Sequence, residues 1–194
     1  MNVGNATLPD IVVIEPRVFS DDRGFFLETW HQARYQECGL PANFVQDNLS
    51  SSVYGTLRGL HFQHPNDQGK LVYVLQGEIF DVAVDIRVGS RTFGQWTSIV
   101  LSEANKLQVY IPEGFAHGFC VTSKNALVGY KCTDFYNPTT EGGVLWNDPA
   151  IGIPWPVATP TLSEKDRAYP CLQEIPPRRL PQFSLTSSEL PETA

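Results

Sequence analysis

The sequence predicts an all-β fold, a sandwich, jelly roll or small barrel with a few short helices, and three observations predict it. The segment KLVYVLQGEIFDVAVDIRV (70–88) alternates with period two in its second half. Phe80, Val82, Val84 and Ile86 share one face, and Ile79, Asp81, Ala83, Asp85 and Arg87 share the other, which is strand periodicity. Short β-prone runs recur along the chain with turn residues between them. Fifteen Gly and fifteen Pro in 194 residues are many for a helical bundle and natural for a turn-rich β protein.

The elements follow in order. IVVIEPRVF opens as a strand broken at Pro16, and SDDRGFF turns around Asp22, Arg23 and Gly24. ETWHQARYQECGL is the best helix candidate, rich in helix formers and stopped by Gly39. FVQDNLSSSVYGTLRGLHFQ is β-prone with a Ser-rich break inside it. Residues 70–88 read as two strands joined at Gln76-Gly77-Glu78. GSRTFGQWTSIVL, KLQVYIPEGFAHGFCV and NALVGYKCTDFY continue the rhythm of strand and turn. LSEKDRA makes one helical turn capped by Ser163. A single domain is expected over residues 1–173. The segment 174–194 holds four prolines and no periodicity, and is expected to be an irregular tail.

Composition excludes several classes. A formal net charge of −7 disfavours a nucleic-acid binder, which needs a positive surface. A small anionic ligand needs only a few local arginines. MNVGNATLPD has neither a basic nor an apolar leader region, and no apolar run approaches membrane-spanning length. Cys38, Cys120, Cys132 and Cys171 form no C-x-x-C pair, so free thiols in a reducing cytoplasm are expected.

The stretch GTLRGLHFQHPNDQGKLV (55–72) concentrates groups able to do chemistry. A metal is the first candidate for His61 and His64, since Pro112–His117 is similar to the second P-x-G-x-x-H motif of metal-binding cupins. Their first motif, however, wants His-x-His on one strand face, followed by a carboxylate. His-x-x-His splits the pair across two faces of a regular strand, and no Glu follows in register. No metal is expected, and His64 reads as a loop residue beside Pro65. Spacing alone leaves His61 as an ordinary strand histidine, Lys70 as a solvated lysine, Arg23 and Arg58 as surface charges, and Asp81 and Asp85 as a polar strand face.

Ten segments in one order nevertheless resemble one family: DDRGFFLE, FVQDN, LRGLHFQ, QGKLV, GEIFDVAVDIR, TFGQW, IPEGFAHGF, YKCTDFYNP, EGGVLWNDPAIGIPWP and LSEKDRA. Together they resemble the dTDP-4-dehydrorhamnose 3,5-epimerases, which implies a cupin-like jelly roll, a double-stranded β-sandwich. The implied reaction inverts C3 and C5 of dTDP-4-dehydro-6-deoxy-D-glucose through an enolate, with no metal or other cofactor. By that resemblance His61 is the base, Asp166 orients it, Lys70 faces the C4 oxygen, and Tyr130 is the acid on the opposite face. Arg23 and Arg58 would hold the diphosphate. Glu28, Gln46, Asp47, Asn48, His117, Glu141 and Lys165 match ligand-contacting positions, and Tyr136 would stack on thymine. The resemblance also implies a homodimer with exchanged strands and shared sites, Arg23 and Glu28 being the residues expected to serve the partner.

Three points stay open. Strict alternation puts Arg58 and His61 on opposite faces, so either a bulge at Gly59 resets the strand or one of the two serves the neighbouring subunit. Leu49 and Tyr73 depart from the family pattern, which usually has a polar residue and an arginine there. The same core also serves single-carbon epimerases of dTDP-keto-sugars, and a non-catalytic sugar-nucleotide-binding module is the reading from another class. Tyr130 in its YKCT context favours the double epimerase.

Overall fold

Strands that alternate in polarity need a partner surface for each apolar face, and this chain supplies it with two antiparallel sheets laid face to face. The computed structural model describes residues 1–41 and 43–183. One sheet has six strands in the order β1 (Asn2–Asn5), β2 (Val12–Glu15), β10 (Gln108–Ile111), β7 (Lys70–Gln76), β12 (Asn125–Cys132) and β5 (Gln46–Val53). The other has five, in the order β13 (Glu141–Gly143), β6 (Leu57–Gln63), β11 (Phe115–Val121), β8 (Glu78–Asp85) and β9 (Trp96–Ser102). A separate hairpin joins β3 (Val18–Asp21) to β4 (Gly24–Leu27). Helices are short: α1 (Gln32–Glu37) and α2 (Glu164–Ala168). The fold is an all-β, cupin-like jelly roll. No described helix is long and apolar enough to cross a membrane.

The period-two segment behaves as its pattern requires. Ile79 and Ala83 enter the core between the sheets with Val72, Val109, Phe119 and Val128. Val82, Val84 and Ile86 point the other way, into a second core with Leu60, Ala116 and Val144. β7 and β8 are joined at Gly77 but lie in different sheets, so this turn is a crossing and not a hairpin.

Three local expectations change. The Ser-rich run does not interrupt the sheet: Ser50, Ser51 and Ser52 lie in a continuous β5 paired with β12 from Gln46 to Val53. A neighbouring strand supplies the hydrogen bonds that local Ser chemistry would otherwise compete for. The helix is shorter than its sequence pattern. It starts after His31, whose ring accepts from the Arg34 N–H, and ends at Cys38. Packing also continues past residue 173. Ile175 and Leu180 are buried in the second core, and the Phe183 N–H donates to Val88 O at 2.9 Å. Residues 184–194, the remainder of the expected tail, lie outside the described residues.

The open question about Arg58 and His61 is answered by register. Phe119 faces Arg58 and His117 faces His61, so two residues of β6 oppose one of β11. This bulge puts both side chains on the same face of the sheet, Arg58 exposed at its edge and His61 half-buried. Gly59 has φ +130°, and a Cβ there would lie 2.5 Å from Gly118 Cα and 2.8 Å from His117 O. Both are backbone atoms that cannot swing aside. Gly59→Ala is therefore expected to destabilise the protein by about 2–4 kcal/mol, read as a lowered urea midpoint at matched protein concentration. An unchanged midpoint would show that the approach is not tight.

Candidate active site

One end of the sandwich is polar. Lys70 opens β7, Gln46 opens β5, Cys132 closes β12, Gln63 closes β6 and Glu141 opens β13, so five strand ends meet around one pocket. His61 enters it from the five-stranded sheet; Lys70, Tyr130, Gln46, Asn48 and Cys132 enter from the six-stranded sheet.

His61 donates from Nε2 to Asp166 Oδ1 at 2.6 Å, 105 residues away in the chain. Asp166 comes from α2, whose first turn is capped by Ser163 Oγ accepting from the Asp166 N–H at 3.1 Å. The carboxyl is nearly inaccessible, while the imidazole keeps 31% of its surface open to the pocket. Burial raises the Asp166 pKa, but hydrogen bonds from His61 and Ser163 outweigh it and hold the group below its usual range. A charged acceptor on Nε2 leaves Nδ1 as the free lone pair of the neutral ring.

The opposite wall carries a cation and a phenol. Lys70 is buried and has neither an ion pair nor a hydrogen bond among the described residues. Burial lowers its pKa, and Cys132, Glu113, Glu141 and Asp67 offset this only in part. Tyr130 is the reverse case: burial raises its pKa, helped by Cys132 and Glu141 and opposed by Arg58, so the phenol keeps its proton. Arg58 donates to Ser52 Oγ at 3.1 Å beside this wall.

At the mouth, Tyr136 donates to Glu141 Oε2 at 3.0 Å and Lys165 to Glu141 Oε1 at 2.7 Å. The loop carrying Tyr136 is held by three glutamines. Gln46 Oε1 accepts from the Tyr136 N–H at 2.8 Å, Gln63 Oε1 accepts from the Asn137 N–H at 2.8 Å, and Gln68 Nε2 donates to Asp134 O at 2.8 Å. His117 sits below the pocket, level with His61, donating from Nε2 to the buried Asp81 at 2.8 Å. His64 does not enter this set; it bonds Asp67 at 2.9 Å.

The fold brings together His61, Asp166, Lys70, Tyr130, Gln46, Asn48, Tyr136, Glu141 and Lys165, with Arg58 and His117 adjacent. It does not bring Asp47, Arg23 or Glu28. Asp47 points to the far face of the sheet, where it pairs with Lys131 at 2.8 Å, as alternation from Gln46 and Asn48 demands. Arg23 is exposed in the β3–β4 hairpin against Asp21, and Glu28 pairs with Arg34. Leu49 and Tyr73 flank Gly129 in register on that same far face, so the two departures from the family pattern lie outside the pocket. Cys132, Gln63 and Gln68 line the pocket and were missed. The signal was available, because Cys132 is two residues from Tyr130 and Gln63 two from His61 on regular strand. Among the described residues no group of three or more His, Cys, Asp or Glu is arranged to hold a metal ion.

Comparison with known proteins adds the following. The family described as dTDP-4-dehydrorhamnose 3,5-epimerase matches residues 5–174. The dTDP-4-dehydrorhamnose 3,5-epimerase of Methanothermobacter thermautotrophicus is 53% identical over 173 residues, 88% of this chain and 94% of that protein. The enzyme of the same name from Neisseria gonorrhoeae is 56% identical over 169 residues, 87% of this chain; the chain spans about half that relative's length, 52%. The crystal structure of the dTDP-6-deoxy-D-glucose-3,5-epimerase of Legionella pneumophila in complex with dTDP-4-keto-L-rhamnose superposes with a TM-score of 0.93 at 49% identity, covering 95% of this chain and 99% of that one.

Lys70 is kept at a cost to stability, because its ammonium is desolvated and nearby acidic groups offset this only in part. Lys70→Met keeps the length of the side chain and removes the charge. It is expected to stabilise the ligand-free protein by about 1–2 kcal/mol, measured as a raised denaturation midpoint. A loss of stability would mean that the ammonium is paired in solution.

Proposed function

The chain belongs to the dTDP-4-dehydrorhamnose 3,5-epimerase family, and from that premise we propose that it is an isomerase converting dTDP-4-dehydro-6-deoxy-D-glucose to dTDP-4-dehydro-L-rhamnose. The observation that carries this reading is the placement of His61 and Tyr130 in one pocket on facing sheets. Inversion at carbon needs a proton removed from one side and another delivered from the opposite side.

His61 Nδ1 takes the proton from C3 or C5, one carbon in each cycle. These protons are acidic because the C4 ketone accepts the electron pair. The enolate oxygen then carries negative charge, and the unpaired Lys70 ammonium meets it without having to leave another partner. Asp166 steadies the imidazolium that forms. The Tyr130 hydroxyl, held protonated by its surroundings, delivers a proton to the other face. Exchange with water then reprotonates Tyr130 and deprotonates His61. Arg58, with Arg23 contributed by the partner, meets the diphosphate, and Lys165 contacts the ligand at the mouth. Gln46, Asn48 and Glu141 hold the sugar nucleotide, His117 supports the pocket floor, and Tyr136 offers its ring to the thymine.

The test is NMR of the keto-sugar nucleotide incubated with the protein in deuterated water. Deuterium is expected at both C3 and C5. Deuterium at one carbon only would make the protein a single-carbon epimerase, and none at either, with nucleotide bound, would make it a binding module. His61→Ala should slow exchange by about 10²–10⁴-fold with dTDP binding retained. Tyr130→Phe should slow inversion more than exchange.

A homodimer with shared sites is part of the same proposal. Leu49, Val53 and Leu75 are exposed apolar residues on one face, and Phe25 and Phe26 of the hairpin, Phe26 at 69% exposure, lie next to Leu75. Together they exceed what scattered surface apolar residues explain. Arg23 and Glu28 ride on or next to this hairpin, out of reach of their own pocket, and serve the partner's. The protein works in the cytoplasm, where its four free thiols persist. Leu49→Asp is expected to shift the protein to monomers in sedimentation velocity and to lower activity about tenfold or more by removing Arg23 and Glu28 from each site. A variant that stays dimeric would place the interface elsewhere.

A further inference from the structure

Asp166 holds one nitrogen of His61, but a single hydrogen bond leaves the ring free to rock about that bond. A second contact comes from the residue that ends the same helix. The Tyr169 ring lies 5.9 Å from the His61 ring, centroid to centroid, at an interplanar angle of 71°. Tyr169 reaches this position over Gly143, which pairs with His61 in register on the neighbouring strand. A Cβ on Gly143 would lie 2.3 Å from Tyr169 Cε2 and 2.4 Å from Cζ. The missing side chain is thus the slot in which the aromatic ring lies. The Leu145 N–H donates to Pro170 O at 2.8 Å, which ties the chain just beyond Tyr169 to the same strand region.

The ring, and not the hydroxyl, is what this site uses. Tyr169 Oη is buried without a hydrogen-bond partner among the described residues. Burial pushes its pKa up to about 12, with Glu141 and Asp166 adding to the effect and the nearby Lys165 ammonium opposing it, so the hydroxyl keeps its proton. A buried, unsatisfied hydroxyl contributes no stability, whereas an edge-on aromatic pair does.

We propose that Tyr169, seated in the slot left by Gly143, is a positioning residue that fixes the plane of the His61 imidazole, so that Asp166 and Tyr169 of one short helical segment clamp the ring from two sides. This rests on the reading of His61 as the base. A clamp of this kind acts on the proton-transfer step, and Tyr169 is not itself among the residues lining the pocket. Its effect is on the orientation of Nδ1 toward the sugar carbons.

The test uses the full-length protein with ¹⁵N-labelled histidine, together with Tyr169→Phe, Tyr169→Leu and Gly143→Ala. His61 ring signals are assigned by their loss in His61→Gln. Tyr169→Leu and Gly143→Ala are expected to shift or broaden the His61 ring signals and to lower kcat roughly 3- to 10-fold, with KM and dTDP affinity within about twofold of the parent. Tyr169→Phe is expected to match the parent in both. Unaltered His61 signals and kcat in Tyr169→Leu would overturn the clamp, as would a Phe variant as impaired as Leu. If the parent protein itself shows no deuterium exchange, the proposed reaction fails while the ring signals still decide the clamp.

Discussion

The approach of Gly59 to Gly118 governs the chemistry of this fold. Two sheets packed face to face leave each strand one inward row of side chains, at every second residue. A regular β6 could put either Arg58 or His61 on that side, but not both. The extra residue in β6 shifts the row by one between them, and only a residue without a Cβ fits where the two backbones meet. Downstream of the bulge, Leu60 and Phe62 face the second core, while His61 and Gln63 face the pocket. A one-residue slip there would exchange the proposed base for a leucine.

The remaining interior tolerates this polar end because the rest of it is apolar. Val72, Val74, Ala126 and Val128 from one sheet meet Ile79, Phe119 and Val121 from the other. Each such side chain stabilises the fold by about 1.5–3 kcal/mol on full burial, enough collectively to carry one partly compensated ammonium. The same apolar wall is what desolvates Lys70 and Tyr130 and moves their pKa values apart in usefulness: the lysine becomes hungry for an anion, and the tyrosine reluctant to become one. Stability and chemistry are therefore set by one packing arrangement.

Much of this was legible in the sequence, for identifiable reasons. The alternation of residues 79–87 encodes two buried faces, and the structure uses both. The Ser163 cap and the stop at Gly39 are local signals, and local chemistry decided them. What alternation could not show is long-range pairing. The Ser50–Ser52 run looked like a break because its hydrogen-bond partners are in β12, more than 70 residues away. Ile175 and Leu180 looked like tail because prolines hide periodicity, although both reach the second core. Within the site, the resemblance to a family supplied His61, Asp166, Lys70 and Tyr130. Simple parity along β5 would have warned that Asp47 cannot share a pocket with both Gln46 and Asn48. The same parity along β12 would have added Cys132.

Leu49 and Tyr73 show why position in the fold must come before any inference from a departure in sequence. Both flank Gly129 on the outer face, where Tyr73 Cζ would lie 2.9 Å from a Cβ on that glycine. They are neighbours across three strands, and a change at one alters the surface available to the other. An arginine and a polar residue would add to the polarity of the Asp47–Lys131 pair beside them; tyrosine and leucine set apolar surface next to that pair. The two departures are thus a matched pair on a face remote from the sugar, and their consequence falls on what that face touches. Inside the pocket, His61 as the proposed base, its carboxylate, the buried cation and the phenol of Tyr130 are all retained. A surface can change character in this way without altering the proton path, because one strand separates its two faces and each residue commits to only one of them.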